Sequence, residues 1–274
     1  MCAQSCLKVK NLGDKNVKLD RIVKDCNFRV MNMKPVYKRI LLKLSGEGLM
    51  GKQAFGVDLD ALNSLAKQIK EVHDVGVEVC LVIGGGNIFR GAKEAVQGMD
   101  RTVADQIGML ATVMNALSMQ NALERQGIDA RVLSGLAMPE VCEPYIYRRA
   151  LNHLKENRVV IFAGGTGNPY FTTDTGAALR AAEMQCDVLL KATQVDGVYD
   201  KDPRNNKKAK KFDRISYEMV INNRLNVMDM TAVALARENN IPIMVFSQSA
   251  KNALIQAVSR KGSFTLISDE VNNG

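Results

Sequence analysis

The residues with the most chemical potential lie in segment 159–174, VVIFAGGTGNPYFTTD, which combines glycines, hydroxyl groups, an amide and a carboxylate. The pattern predicts a buried strand over Val159–Ala163, a glycine turn, and a helix that begins near Asp174. Glycines leave room for a ligand beside the backbone, and Thr and Asn side chains supply donors and acceptors. Because ligands of open α/β sheets bind beyond the carboxyl ends of strands, this segment predicts a site for a polar, phosphorylated small molecule. The alternative is a structural turn in which Asp174 only caps the helix.

A second glycine loop, GGGNIFRG over 84–91, follows the predicted strand Val77–Ile83. Consecutive glycines can present backbone amides to phosphate, and Arg90 adds a bidentate donor. The loop is not a P-loop, because Ala92 stands where the lysine should be. It is not a dinucleotide fingerprint either, because Phe89 replaces the third glycine.

Two lysines stand near the carboxyl ends of predicted buried strands. Lys43 belongs to the strand Tyr37–Leu44, and Lys191 ends the strand Asp187–Lys191. A cation at such a position is unexpected in a core and is typical of phosphate binding. For Lys43 the alternative is a side chain that extends to solvent.

Strands and helices alternate along the chain from residue 34, and no linker composition divides it. We therefore predict a three-layer α/β/α sandwich with a mainly parallel central sheet, forming one domain of two lobes over 34–270. The other predicted strands are Asp129–Leu133, Pro242–Phe246 and Ser263–Ile267. The predicted helices are one capped by Asp58, then Thr102–Arg125, Tyr145–Asn157, Thr175–Met184, Asp229–Glu238 and Asn252–Ser259.

Composition narrows the function classes. The chain has 274 residues and a net charge of +8, but aromatic residues are only 5% and Trp is absent, so stacking surfaces for nucleic acid are scarce. The basic run Lys207–Lys211 is interpreted as a solvated face.

No stretch reaches the roughly 18 apolar residues that span a bilayer. Residues 1–33 are predicted to be a flexible extension, with a mis-assigned start codon as an alternative explanation.

Cysteine and histidine spacing predicts neither a disulfide framework nor a metal centre. The six cysteines form no C-x-x-C pair, and the chain carries no secretory signal, which favours a reducing cytoplasm. His73 and His153 are far apart in the sequence and are interpreted as surface or packing residues. We expect no protein-bound metal cluster.

Four segments, Lys43–Gly46, Gly84–Arg90, Thr166–Asp174 and Lys191–Tyr199, occur in an order and spacing that resemble the amino acid kinase superfamily. The resemblance is closest to the bacterial uridylate (UMP) kinases and covers about residues 34–268. The string Thr-Gly-Asn-Pro-aromatic-Phe-Thr-Thr-Asp is its most discriminating part.

The resemblance implies reversible transfer of the ATP γ-phosphoryl group to UMP, giving UDP and ADP in pyrimidine nucleotide biosynthesis. It also implies Mg²⁺ with ATP, a homohexamer, inhibition by UTP and a cytoplasmic location. No membrane or nucleic-acid partner is expected. Of the two lobes, 34–165 would bind the acceptor and 166–270 would bind ATP.

The resemblance also implies the site residues. We hypothesise that Lys43 and Lys191 flank the transferring phosphoryl group and that Asp174 holds both lysines in place. The ATP-binding residues would be Lys43, Leu44, Ser45, Gly46, Gly86, Arg90, Thr193, Tyr199 and Asp202. The UMP-binding residues would be Gly85, Asp105, Thr166, Gly167, Asn168, Pro169, Tyr170, Phe171, Thr172 and Thr173, with Asp105 taking the ribose hydroxyls.

The sequence leaves three questions open: activation by GTP, the identity of the acceptor, and whether the protein is catalytic. Many relatives bind a GTP activator between subunits through basic groups on the long helix. Here Gln120 and Glu124 stand at those positions, although Arg131 and Arg158 remain, and a carboxylate that faces a triphosphate is unfavourable. The acceptor could instead be an amino acid or carbamate. A non-catalytic nucleotide sensor is the third alternative, with DNA contact through Lys207–Lys211.

Overall fold

One sheet with almost wholly apolar central strands organises the fold. The structure is a computed structural model, and it describes residues 34–89, 98–225, 227–250 and 252–269. The main sheet comprises β1 (Arg39–Leu44), β2 (Glu78–Ile83), β3 (Ala130–Ser134), β4 (Glu143–Pro144), β5 (Val159–Ala163), β6 (Val188–Thr193), β9 (Arg214–Ile215), β10 (Ile243–Ser247) and β11 (Phe264–Ile267). The short strands β7 (Val198–Tyr199) and β8 (Lys211–Phe212) pair separately.

The strand order in the nine-stranded sheet is β4-β3-β5-β2-β1-β6-β10-β11-β9. Strands β10 and β11 are antiparallel, and the other described pairs of this sheet are parallel. Parallel neighbours need crossover connections, which the helices supply. The predicted α/β class with a mainly parallel sheet is confirmed.

Helices cover both faces of the sheet. They are α1 (Leu59–Asp74), α2 (Arg101–Glu124), α3 (Tyr147–Lys155), α4 (Thr173–Glu183), α5 (Tyr217–Asn222), α6 (Met230–Glu238) and α7 (Ala253–Val258). Helix α1 packs against α2 and α7, whereas α4 packs against α6 and α6 against α5. The predicted three layers are therefore present.

The pleat of the central strands decides which helices each side chain meets. Leu41 and Leu189 belong to the core cluster shared with α3, α4 and α6. Leu42 and Leu44 face Leu65 of α1 and its neighbours on the opposite side. Since alternate residues of a strand share a face, Lys43 points to the same side as Leu41, and Lys191 to the same side as Leu189. Both lysines therefore point toward the layer that contains α4.

The predicted elements are present within two residues of their predicted ends. Three of these ends bear on the site or the sheet. Strand β6 continues beyond Lys191 to Thr193, so that lysine does not end its strand. Helix α4 begins at Thr173, next to the start predicted near Asp174. The helix predicted over Tyr145–Asn157 is shorter, because Tyr145 still pairs with the sheet through Ser134 O.

Residues 1–33 lie outside the described residues, so the predicted extension has no structural account here. The boundary between the two lobes at 165/166 stays a prediction. Within the described part of the chain, no helix is both long and apolar enough to cross a bilayer.

Candidate functional site

Lys43 and Lys191 are direct neighbours in the sheet. They face each other in the parallel register of β1 and β6. Lys43 is buried, and the Lys191 side chain is 12% exposed. Two ammonium groups at this depth require compensation, because burial of an unpaired charge is strongly unfavourable.

Asp174, the second residue of α4, provides that compensation. Its Oδ1 lies 2.7 Å from Lys43 Nζ, and its Oδ2 lies 2.6 Å from Lys191 Nζ. Burial alone would raise the pKa of this carboxyl, but the two ammonium groups outweigh burial and hold the pKa below its ordinary value. The helix cap is Thr172, whose hydroxyl accepts from Asp174 N at 3.0 Å. The alternative of Asp174 as a simple cap is therefore wrong.

The charges of these three residues do not cancel. Burial lowers the pKa of Lys191, the nearby Lys43 charge lowers it further, and Asp174 opposes both effects. Lys191 also donates to Val227 O. Two cations share one contacting carboxylate, and Asp229 is a second carboxylate whose charge acts on Lys191. The paired ammonium groups are suited to an anionic ligand such as phosphate.

Two cavities meet at these lysines. The larger has a volume of about 530 Å³, and the smaller about 300 Å³. Both are lined by Lys43, Lys191 and Val227. If each cavity held a ligand, the ammonium groups of Lys43 and Lys191 would lie between the two ligands.

The larger cavity collects most of the predicted ATP-binding residues. Its lining includes Lys43, Ser45, Thr193, Tyr199 and Asp202. The predicted residues Leu44, Gly46 and Gly86 do not line it, and Arg90 lies outside the described residues. The structure thus brings together five of these nine predicted positions.

Side-chain contacts fix the segment that follows β6. Tyr199 Oη donates to Asp196 Oδ1 at 2.6 Å, and Ser263 Oγ donates to Asp196 Oδ2 at 2.7 Å. The hydrogen bonds from Tyr199 and Ser263 hold the pKa of Asp196 below its usual range. Asp202 accepts from Arg204 N at 3.0 Å, which lowers the pKa of that carboxyl. Hydrogen bonds to the carboxylates of Asp196 and Asp202 therefore hold this side of the cavity in place.

The predicted UMP-binding string lies beside the start of α4 and the start of α2. Thr172 and Thr173 line the smaller cavity together with Asp229. Tyr170 N donates to Asp105 Oδ2 at 2.8 Å, so the structure joins the string to the predicted ribose carboxylate. The predicted residues Gly85, Asp105, Thr166, Gly167, Asn168, Pro169, Tyr170 and Phe171 do not line either of these two cavities.

The glycines of the string have a structural reason to be glycine. Gly164, Gly165 and Gly167 all have positive φ, which disfavours any side chain. A Cβ at Gly167 would lie 2.7 Å from Gly135 O. Likewise, a Cβ at Gly85 would lie 2.8 Å from Ala111 Cβ of α2. Turn geometry and close packing explain these positions without a ligand.

Sequence reasoning missed three site residues. Asp229 was predicted only as a helix start, yet its Oδ1 accepts from Thr175 Oγ1 at 2.9 Å and from Ala232 N at 2.9 Å, while Oδ2 accepts from Thr172 Oγ1. It thus joins the starts of α4 and α6. Asn87 and Asn115 form a buried pair behind the glycine turns. Asn115 lies among alanines and methionines of the long predicted helix, and its spacing gives no signal of its partner.

Arg131 and Arg158, which the resemblance links to an effector, face carboxylates of this same chain. Arg158 Nε lies 2.7 Å from Asp129 Oδ2, and Arg131 contacts Asp129 as well. Arg131 Nη1 is 3.9 Å from Glu124 Oε1, which accepts from Gln120 Nε2 at 2.8 Å. The arginines are already neutralised.

In the part of the chain that the structure describes, no three His, Cys, Asp or Glu side chains come together as metal ligands. His153 Nε2 lies 3.1 Å from Glu143 Oε2, and its Nδ1 is 3.0 Å from Arg158 Nη1. Because arginine only donates, Nδ1 accepts and Nε2 carries the proton. His153 is therefore a satisfied packing residue, as predicted.

Comparison with known proteins gives a consistent result. A model of the amino acid kinase family matches residues 38–247. A uridylate kinase of Rickettsia prowazekii is 58% identical over 233 residues, covering 85% of this chain and 96% of the relative. One from Paramagnetospirillum magneticum is 56% identical over 234 residues, covering 85% and 98%. The crystal structure of UMP kinase from Bacillus anthracis aligns with a TM-score of 0.83 and 40% identity, over 86% of this chain and 97% of that one.

Proposed function

This chain belongs to the amino acid kinase family, and we propose that it is a uridylate kinase, which transfers the γ-phosphoryl group of ATP to UMP. One observation carries the proposal beyond similarity: the two cavities meet at Lys43 and Lys191. A phosphotransferase needs two anionic substrates with cations between them. ATP is assigned to the larger cavity and the UMP phosphate to the smaller.

The reaction needs positioning and charge neutralisation more than a base, because a phosphate oxygen of UMP is already anionic at pH 7. Lys43 and Lys191 would contact the transferring phosphoryl group from adjacent strands. Asp174 would hold both ammonium groups at fixed positions. Such oriented charges in a water-poor site contribute on the order of several kcal/mol to barrier reduction.

Mg²⁺ fits this site only if the nucleotide phosphates supply most of its ligands. Asp174 already binds two ammonium groups, and Asp229 already accepts from two threonine hydroxyls and a backbone amide. Mg²⁺ commonly binds through substrate phosphates and water with few protein ligands. When bound there, it would neutralise phosphate charge during transfer.

The acceptor assignment depends on Asp105 and the Thr166–Thr173 string. A carboxylate suits ribose hydroxyls, and threonine hydroxyls with backbone amides suit a phosphate. An amino-acid acceptor would instead require a group for its ammonium. This chemistry favours a nucleotide, and the relatives named uridylate kinases support uridine.

The assembly, regulation and location are also proposals. Helix α2 exposes Val103, Leu110 and Met114, with 45%, 47% and 56% of each residue accessible, and their spacing places them on one face. This stripe supports self-association, and the family resemblance suggests a homohexamer. UTP shares the uridine of UMP and is proposed to inhibit. The three described cysteines are free thiols, which suits a cytoplasmic enzyme.

A coupled assay of ADP release tests the proposal. The acceptors are UMP, CMP, dTMP, glutamate, aspartate and carbamate, each with ATP and Mg²⁺. Turnover confined to UMP is expected. Turnover on an amino acid or carbamate would retain the lysine roles and overturn the acceptor assignment. No turnover on any acceptor, with ATP still bound, would instead favour a nucleotide sensor.

A further inference from the structure

Two buried asparagines, Asn87 and Asn115, form a reciprocal amide pair. Asn115 Nδ2 donates to Asn87 Oδ1 at 2.7 Å, and Asn87 Nδ2 donates to Asn115 Oδ1 at 3.0 Å. Their exposed fractions are 2% and 0%. Buried amides persist where their hydrogen bonds are satisfied, so this pair specifies one arrangement of the backbone around it.

The remaining amide hydrogens of the pair bind backbone carbonyls. Asn115 Nδ2 donates to Gly84 O at 2.7 Å, and Asn87 Nδ2 donates to Gly56 O at 2.8 Å. Gly56 N returns a hydrogen bond to Asn87 O at 2.8 Å. Each side-chain NH₂ thus uses both of its donors. The pair ties helix α2 to the turn after β2 and to the loop before α1.

The same pair borders the turn after β1. A Cβ at Gly46 would lie 2.4 Å from Asn87 Oδ1 and 2.5 Å from Gly84 O. Gly84 N also donates to Leu44 O at 3.0 Å. The turns that follow β1 and β2 are therefore in contact, and Asn87 Oδ1 lies beside that contact. The first of these turns begins directly after Lys43 and Leu44.

We propose that Asn87 and Asn115 are positioning residues for phosphoryl transfer. They act through the backbone of Gly46 and Gly84, and they set the spacing of the two turns beside Lys43. The inference rests on the proposed function, since it concerns the same site. Apolar side chains could fill the space, but they would leave the Gly84 and Gly56 carbonyls without these donors.

The test is Asn115→Asp, which keeps the shape but replaces two N–H donors with an oxygen that faces Gly84 O and Asn87 Oδ1. We expect kcat to fall about tenfold or more, because displacement of about 1 Å at a reacting centre costs up to about 100-fold. The KM values for ATP and UMP should stay within about threefold, because other segments hold the bases and riboses.

Two controls separate positioning from stability. Asn239→Asp makes the same chemical change at an exposed amide, which donates to Leu235 O at the end of α6. Leu123→Ala opens a cavity on helix α2 at a fully buried position away from the turns. All variants are assayed well below the lowest melting temperature. Both controls should retain the kcat of the parent chain.

A kcat for Asn115→Asp equal to that of Leu123→Ala would overturn the inference. If Asn115→Asp does not fold, Asn115→Ser takes its place with the same expectation. Failure of both to fold would overturn the inference too, because the pair would then be required for folding. Absence of UMP-dependent ADP release in the parent chain would overturn the proposed function, whereas an active parent with unaffected variants would overturn only the positioning role.

Discussion

The carboxylate of Asp174 forms an ion pair with each of the two buried lysines. Its pKa is low because two ammonium groups, at 2.7 and 2.6 Å, outweigh the effect of burial. The folded-state pKa lies below the unfolded value of about 4. The stabilisation from this carboxylate is therefore complete above about pH 4 and is lost as the pH falls through the folded-state pKa.

The change Asp174→Asn should destabilise the protein by about 3–5 kcal/mol at pH 7, because it leaves two buried cations without a counter-charge. Urea unfolding measures the loss. The difference between variant and parent should shrink as the pH falls below about 4, because the carboxyl of the unfolded parent gains its proton there while the folded-state pKa is lower. Asp60→Asn, an exposed acid in the first turn of α1, should change stability by less than about 0.5 kcal/mol. A pH-independent loss would contradict this account.

The change Lys43→Met should reduce kcat by about 100-fold or more while UMP binding is largely kept, because the lost ammonium acts on the charge of the transferring group. Steady-state kinetics and UMP titration measure the two effects. Lys67→Met, on the exposed face of α1, is the matched control and should leave kcat unchanged. A near-normal rate for Lys43→Met would remove that lysine from the mechanism.

At this scale the sequence was informative for charged groups and uninformative for amides. Lys43 and Lys191 could be singled out because a charge in an apolar strand needs a partner, and Asp174 because it follows a glycine turn at a predicted helix start. Asn115 lies among alanines and methionines of a long helix, where one amide has no distinctive spacing. Its partner Asn87 is 28 positions away, so the pair exists only in the folded chain.

At the scale of elements, the starts of α4 and α6 are joined by Asp229, which caps α6 and accepts from two hydroxyls of the α4 start. Asp229→Ala should destabilise the protein by about 2 kcal/mol or more, because it removes a cap and two further hydrogen bonds. It should also lower kcat, because Asp229 binds Thr172 and Thr175, which flank Asp174 at the start of α4. Thermal and chemical unfolding, with kinetics, measure both effects.

Ser216→Ala is the matched control for that prediction. Ser216 caps α5 by accepting from Met219 N at 3.1 Å, so its loss should cost about 1 kcal/mol with kcat unchanged. Equal effects of the two changes on kcat would mean that Asp229 is only a cap.

The charged cluster at the end of α2 leads to a regulatory prediction. Arg131 and Arg158 are paired with Asp129 and Glu124, and a triphosphate would have to displace these carboxylates. GTP should therefore change the rate by less than about twofold, because like charges repel the incoming phosphates. Initial rates with and without GTP at subsaturating ATP measure this. Strong activation would show that the carboxylates move aside.

The long elements could be predicted and the short ones could not. Strands β1, β2 and β5 are short, nearly continuous apolar runs, and helix α2 is a long segment rich in apolar residues, so their existence and type follow from the sequence. The two-residue strands β4, β7, β8 and β9 are defined by a few backbone hydrogen bonds, which leave no periodic pattern. Helix α5, Tyr217–Asn222, is a six-residue segment with little helical period and was missed.

At the scale of the whole molecule, the apolar stripe of α2 predicts self-association. Leu110→Asp should shift the protein to smaller species, because a charge in an apolar contact must be desolvated without a partner. Light scattering coupled to size exclusion measures the mass. Leu59→Asp, at an exposed leucine that begins α1 (64% exposed, against 47% for Leu110), is the control and should keep the parent mass. An unchanged mass for Leu110→Asp would assign self-association to another surface.

The adjacency of Lys43 and Lys191 has a consequence for biosynthesis. The two lysines belong to strands that pair directly but are separated by about half of the chain. A ribosome therefore translates β1 long before β6, and the site cannot exist in the nascent chain until that late strand joins the early one. Such a distant pairing is slow to form. Catalytic activity thus appears only when the centre of the sheet is complete, which makes enzyme turnover a direct reporter of finished folding.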